Sequence, residues 1–445
     1  MAEVTRRKDE HLDIAASEDV EAASQTTWLE HVHLVHRALP ELDLDDVDTS
    51  TELFGKRLRL PIIIDSMTGG SESGAKLNKD LASVAAEFGL GMGVGSQRAA
   101  LLDSSLRSTF SVVRDVAPDI LVYANIGAQQ LAEVGVEGAR ACVDMVRADA
   151  LAIHLNPLQE AIQPEGDPKY RGLLDRIAEV VEKVGVPVIV KEVGSGLSME
   201  VVALLDSIGV KGFNVAGVGG TSWARIESIR ASRSGDERRA RLGDAFRDWG
   251  IPTAASIIEA RSATKGVIIA SGGIRSGLDV AKSIAIGADA AALALPALRS
   301  LVRGGRDALR SLVSAMAAEL RLAMFLTGSG SVRELSRARY VLTGELADWV
   351  RFAGVMRAGR PEGRAQQGRI GGQLLPRVHT EGRAQAPLRG RLPPHRGRRQ
   401  EAAPIRRGRV LQDVRGRGPR RAPGRRLGGA DTQLHARARR HNGQG

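Results

Sequence analysis

Apolar runs recur along residues 60–295, and nearly every one ends in glycine or a small polar residue. They lie at 60–70, 90–97, 120–125, 150–156, 186–194, 212–220, 267–274 and 290–295. Between them the apolar positions switch to helical spacing. Leu81, Val84, Ala85 and Phe88 fall on one helical face with Gly89 as a stop, and 173–184, 199–208 and 278–286 behave alike. After the eighth run Leu309, Leu312, Val313, Met316, Leu320 and Met324 continue at helical spacing. Near-continuous apolar strands alternating with amphipathic helices predict a parallel sheet buried on both faces. Eight such units within about 250 residues predict a closed (β/α)8 TIM barrel, an α/β fold, over 58–354. An open doubly wound sheet would not require eight.

Two flanking regions have a different character. Residues 1–57 form a charged N-terminal extension in which 28–35 read as a strand or a short helix. From charge alone, its opening Arg6-Arg7-Lys8-Asp9-Glu10-His11 reads as a solvated terminus. Residues 355–445 contain no Phe, Trp or Tyr and are dominated by Arg, Gly, Pro and Ala. Such a stretch cannot bury enough apolar surface to offset its conformational entropy, so disorder is expected.

That tail also accounts for the charge. The formal net charge is +11, but 355–445 carry 23 arginines against five acids, which leaves residues 1–354 at −7. A basic total would suggest nucleic acid, yet the body is mildly acidic. An Arg-rich tail could bind RNA. A dispensable tail, or a shifted reading frame in a GC-rich gene, explains the same composition and is preferred. Nucleic acid is not an expected partner. Cys142 is the single cysteine and reads as a small core residue. With no apolar run long enough to span a bilayer and no secretory pattern at the start, the expected compartment is the cytoplasm.

The chemistry-bearing residues sit where the apolar runs end. Five of the eight runs close on Thr68-Gly69-Gly70, Gly95-Ser96-Gln97-Arg98, Asn125-Ile126-Gly127, Gly219-Gly220-Thr221-Ser222 and Ser271-Gly272-Gly273-Ile274. Together they suggest a large cofactor lying across the barrel mouth, with glycine letting backbone approach a ring or phosphate. The usual phosphate position after strands seven and eight corresponds to Gly272-Gly273 and Ala294-Leu295. Lys191 ends the fifth run, too deep for a routine surface lysine. A fixed cation there suits an anionic ring or a carbonyl gaining charge, with Asn125, Ser96 and Thr221 as neutral partners. The fourth run delivers His154, Asn156, Gln159 and Glu160 around a break at Pro157. His154 suits acid–base chemistry or a hydrogen bond to the cofactor, and spacing does not choose between them. A single carboxylate such as Glu160 is what Mg²⁺ uses when its other ligands are water and substrate phosphate.

Taken together, these motifs resemble the type 2 isopentenyl diphosphate isomerases, flavoprotein barrels. The resemblance spans about residues 5–354. It is carried by Arg7-Lys8-Asp9-Glu10-His11, Ser66-Met67-Thr68-Gly69-Gly70, Gly95-Ser96-Gln97-Arg98, the run from His154 to Glu160, Lys191-Glu192-Val193-Gly194, Gly219-Gly220-Thr221-Ser222-Trp223 and Ser271-Gly272-Gly273-Ile274-Arg275. It implies FMN, Mg²⁺ and NADPH (or another reductant), and a homo-oligomer, tetramer or octamer. It assigns Met67, Thr68, Ser96, Asn125, Lys191, Thr221, Gly272, Gly273, Ile274, Ala294 and Leu295 to the flavin. Arg7, Lys8, Ser96, Gln97, Arg98 and Gln159 go to the substrate and Glu160 to Mg²⁺. His154, Gln159 and Lys191 become the catalytic set. Arg7 and Lys8 then have a reason to be basic, because the substrate is a diphosphate. The implied reaction interconverts isopentenyl and dimethylallyl diphosphate by proton transfer at the reduced flavin. His154 becomes a positioning residue on that reading, and Trp223 packs against the hydrocarbon or simply against the protein.

The chain departs from the pattern twice. The arginine-rich tail is foreign to the family, and strand six carries Asn214 where an acid is expected. The rival reading is an FMN barrel that oxidises a small hydroxy acid. It would place a catalytic histidine with a nearby arginine just after strand six, where this chain has Gly219-Gly220-Thr221-Ser222-Trp223.

Overall fold

The computed structural model describes residues 2–353, with side chains from Arg6 onward. The expectations made for 355–445 fall outside the described residues. Eight parallel strands close into a barrel: β1 (Ile62–Ile64), β2 (Gly91–Gly93), β3 (Val122–Gly127), β4 (Ala150–His154), β5 (Val188–Lys191), β6 (Gly212–Asn214), β7 (Val267–Ala270) and β8 (Ala290–Leu293). Each pairs with its sequence neighbour, and Ala292 of β8 opposite Ile63 of β1 closes the ring. The strands are shorter than the apolar runs that announce them. In 212–220, for example, only the first three residues form the strand, and the rest is a glycine-bearing loop at the mouth.

Side chains on the inner face fill the barrel. Ile63, Tyr123, Ile189 and Ile269 pack together, and Ala150, Ala152, Ala290 and Ala292 leave room for the large ring of Tyr123. Outward-facing apolar residues of the same strands meet the surrounding helices in the larger core. Both faces are therefore dry, as the continuous apolar runs require. Helix ends follow local signals. Glu72–Phe88 starts where the Ser71 side chain accepts the Gly74 amide and stops at Gly89, whose φ of 65° suits glycine.

The extension is more ordered than its charge suggests. Ala2–Ser17 is a helix, which the charge pattern did not announce. Its Ile14 is fully buried against Val20, Ile226, Ile229 and Leu295. The following segment straps the loop after β6, with the Ala22 amide donating to the Gly220 carbonyl (2.9 Å) and the Ser222 amide to the Val20 carbonyl (2.8 Å). In 28–35 both expected alternatives occur in succession, a 3-10 turn at Leu29–His31 and a strand at Val32–Leu34. That strand pairs antiparallel with Tyr340–Leu342. The last long helix begins at Leu295, earlier than its spacing from Leu309 implied, and is interrupted at Gly304 and Gly305. Among the described residues no helix is long and apolar enough to cross a membrane.

Candidate active site

Two adjoining cavities open at the C-terminal ends of the strands. The first is a cavity of about 150 Å³. Met67, Thr68, Lys191, Thr221, Gly272, Gly273, Ile274, Ala294 and Leu295 all line it. The second is lined by Arg7, Lys8, Ser96, Arg98, Asn125, His154, Gln159 and Glu160. Lys8, His11, Ser66, Met67, Lys191 and Trp223 belong to both, so the two form one continuous site. Ser96 and Asn125, expected with the flavin set, border the second cavity and not the first.

Gln97 is the expected substrate residue that is not brought to the mouth. Its side chain is fully buried, donates to the Cys142 carbonyl (2.8 Å) and accepts from the Asn125 amide (2.9 Å). It braces β3 from behind. The glycine loops also differ from the expectation in part. A Cβ on Gly272 (φ 91°) would sit 2.1 Å from the Gly217 carbonyl oxygen. The loops after β6 and β7 therefore pack backbone against backbone, and their glycines serve that contact as well as the cavity.

The cations are placed individually. Lys8 donates to the carbonyls of Gly69 (2.6 Å) and Ser96 (2.8 Å) and lies over the Phe110 ring. Burial, reinforced by neighbouring Arg7, pushes its ammonium down to about 7. Lys191 ends β5 with its Nζ 3.3 Å from Asp65 Oδ2 and donates to the Glu192 carbonyl (2.9 Å). Arg98 lies 3.5 Å from Glu133, yet its Nε is buried with no protein partner, as is the Ser66 hydroxyl. Orphaned polar atoms on the wall of a cavity are what a polar ligand would satisfy.

His154 ends β4 and hydrogen-bonds through Nδ1 to Asn125 Oδ1 (3.0 Å). Burial, then the charges of Lys191 and Lys8, pushes its imidazolium down to about 3. The ring is neutral at physiological pH, and Nε2 is left as an acceptor. Asn156 donates to both Gln159 Oε1 and Glu160 Oε1 (3.0 Å each), and the Asp167 amide donates to Glu160 Oε2 (2.8 Å). Each Glu160 oxygen keeps a second lone pair.

Behind Gln159 lies a charged cluster that the sequence reading missed. Glu227 is fully buried, accepting from Gln159 (3.1 Å) and bonded to His11 (2.9 Å) and Arg230 (2.7 Å). Burial alone would raise its carboxyl, but the His11 hydrogen bond and the Arg230 charge outweigh it and hold it at about 2. Arg230 also meets Glu165 (3.1 Å) and Glu10 (3.3 Å). His11 stacks edge-on against Trp223, with ring centroids 5.1 Å apart. The signal was present in part, since Lys8 and His11 are three residues apart and must share a helix face.

A family model described as FMN-dependent dehydrogenase matches residues 2–107 and 154–342. A protein of Ignicoccus hospitalis named isopentenyl-diphosphate delta-isomerase is 47% identical over 355 residues, 79% of this chain and 98% of that protein. Its namesake from Methanopyrus kandleri is 50% identical over 352 residues, 78% of this chain and 95% of that protein. Among solved structures, mandelate oxidase with (S)-2-phenylpropionate superposes with a TM-score of 0.54 at 20% identity, covering 77% of this chain and 98% of that one. At that identity the likeness shows the fold alone.

Proposed function

The chain belongs to the isopentenyl-diphosphate delta-isomerases, within the FMN-dependent dehydrogenase family, and from that premise we propose that it interconverts isopentenyl and dimethylallyl diphosphate on bound FMN. One observation carries this reading. A cavity for a large planar group, with Lys191 on its wall, opens directly into one holding Arg7, Lys8, Arg98 and Glu160. The residues fit the flavin: Ser66 offers an unpaired hydroxyl and Lys191 a cation. Leu295 and Ala297 open a helix whose first amides have no intrahelical partner, which suits a phosphate.

When bound, reduced FMN supplies the proton donor and acceptor for moving the double bond, and NADPH or another reductant keeps it reduced. The side chains do the rest. Lys191 offsets negative charge on the ring. Arg7, Lys8 and Arg98 bind the diphosphate, and Glu160 would hold Mg²⁺ beside it. His154, tied to Asn125 and held toward its neutral form by burial and the charges of Lys191 and Lys8, is suited to orienting substrate or ring. Gln159 is held by Asn156 and Glu227 beside the same space. Trp223 presents a ring to the hydrocarbon end. Two of the carboxylates near this space are engaged by protein groups: that of Asp65 is ion-paired and that of Glu227 lies behind Gln159. An oligomer, as the resemblance implies, is part of this reading. The hydroxy-acid oxidase alternative lacks its histidine after β6, where the loop reads Gly219 to Trp223.

The deciding experiment is anaerobic. FMN-loaded, reduced protein with Mg²⁺ should convert isopentenyl diphosphate to dimethylallyl diphosphate, and absence of product rejects the proposal. In the same assay Glu160→Gln should raise the Mg²⁺ concentration for half-activity by at least about tenfold, with FMN affinity unchanged. Loss of FMN with an unaltered Mg²⁺ requirement would reverse the assignment. Lys8 adds a pH signature. Because its ammonium is pushed down to about 7, its charge is lost as pH rises through that value. The kcat/KM for the diphosphate should therefore fall above about pH 7, and the low residual value of Lys8→Met should lack that limb.

A further inference from the structure

The charge of Lys191 is compensated by a carboxylate that was not anticipated. Asp65 follows β1, lines the first cavity and is 4% exposed. Its Oδ1 accepts from the Tyr123 hydroxyl (2.6 Å) and the Ser66 amide (2.8 Å). Its Oδ2 accepts from the Asn214 side-chain amide (3.1 Å) and lies 3.3 Å from Lys191 Nζ. Asn214 in turn accepts from the Ser271 hydroxyl. Lys191 and Asn214 are register partners on β5 and β6, whereas Asp65 directly follows β1 and Tyr123 lies on β3. The network therefore spans the barrel just beneath the cavity. The other nearby acid, Glu192, is committed elsewhere, with one carboxylate oxygen accepting the amides of Val193, Gly194 and Ser195.

This arrangement explains why strand six carries Asn214 in place of an acid. A carboxylate at 214 would stand about as close to Asp65 as the amide does now, and two carboxylates sharing a site cannot both ionise. An amide donates to Asp65 and accepts from Ser271 without conflict. The site holds one negative charge for Lys191, and this chain carries it on β1's end of the pair.

We infer that Asp65 is the counter-charge of Lys191 and a positioning residue that sets how strongly the cavity favours negative charge on a bound ring. The inference rests on the FMN reading. Removing the carboxylate leaves the Lys191 cation uncompensated in a poorly hydrated site, where charge interactions are strongest. The cavity then prefers the reduced, more negative form of the cofactor.

The test measures the affinities of wild type, Asp65→Asn and the exchanged double variant D65N/N214D for oxidised and reduced FMN, with thermal melts of each FMN-free protein. In Asp65→Asn the ratio of reduced to oxidised affinity should rise about tenfold, a shift of about +30 mV for a two-electron couple. The double variant, which returns one carboxylate and one amide, should restore both the wild-type ratio and the melting temperature of the FMN-free protein. A purely structural Asp65 would weaken both affinities together and leave their ratio within twofold of wild type, which overturns the inference. If Asp65→Asn does not fold, the double variant decides: folded with the native ratio it supports the exchange, and unfolded or shifted it refutes it. Failure of the wild type to bind FMN would instead reject the functional proposal itself, and this inference with it.

Discussion

Arg230→Ala is expected to destabilise the protein by about 3–5 kcal/mol, although the residue lies outside the cavity wall. The guanidinium is 9% exposed and meets three carboxylates, those of Glu227, Glu165 and Glu10. Glu227 has no exposure at all, so truncation leaves its carboxylate with only Gln159 and His11, where hydration cannot replace the lost guanidinium. The loss is a substantial share of the ~5–15 kcal/mol by which domains are stable. The three carboxylates come from the N-terminal helix, the loop after β4 and the helix Trp223–Arg233, so the site loosens as well. Urea unfolding with an unchanged slope and a lowered midpoint is the expected result. An unfolding free energy within about 1 kcal/mol of wild type would show that the cluster is hydrated and contributes little.

Lys191→Ala is expected to weaken FMN binding by roughly 10–100-fold, the worth of one charge-assisted contact at ~1.5–3 kcal/mol. Asp65 keeps its bonds to Tyr123, Ser66 and Asn214, so the barrel should remain folded. Equilibrium dialysis of FMN-free protein against FMN, with a melt as control, separates lost affinity from lost fold. Arginine should not substitute, because its rigid fork cannot occupy the space of an ammonium held between Asp65 and the Glu192 carbonyl. Undiminished FMN binding in Lys191→Ala would remove Lys191 from the cofactor site.

These two predictions come from opposite ends of what the sequence discloses. Strand tips are legible, because an apolar run that stops on a polar residue at a barrel mouth has few places to point. Lys191, His154 and Asn125 are read in this way. Gln97 fails for a local reason. It lies between Ser96 and Arg98 in a loop that becomes a helix at Arg98, and side chains on consecutive residues there do not share a side. Ser96 and Arg98 face the cavity while Gln97 turns inward. Glu227 and Arg230 are illegible for a different reason. Their helix buries charge, so the apolar stripe that marks a core-facing helix is replaced by Glu and Arg. The role of Asp65 depends on a contact with Asn214 across the barrel, 149 residues away, which no periodicity along the chain can express.

The short strand Val32–Leu34 pairs with Tyr340–Leu342, and between them lies the whole barrel. Closing so long a loop adds little to its equilibrium cost, since each doubling of length costs only about 0.6 kcal/mol. In time the consequence is larger. During synthesis the residues that carry Lys8 and His11 leave the ribosome first, but their segment finds its strand partner only after all eight barrel strands have been made. The strand Val32–Leu34 is therefore paired last, whereas Ile14, Val20 and Ala22 of the same extension have their partners in the helix Trp223–Arg233, at Leu295 and in the loop after β6, all of them made earlier.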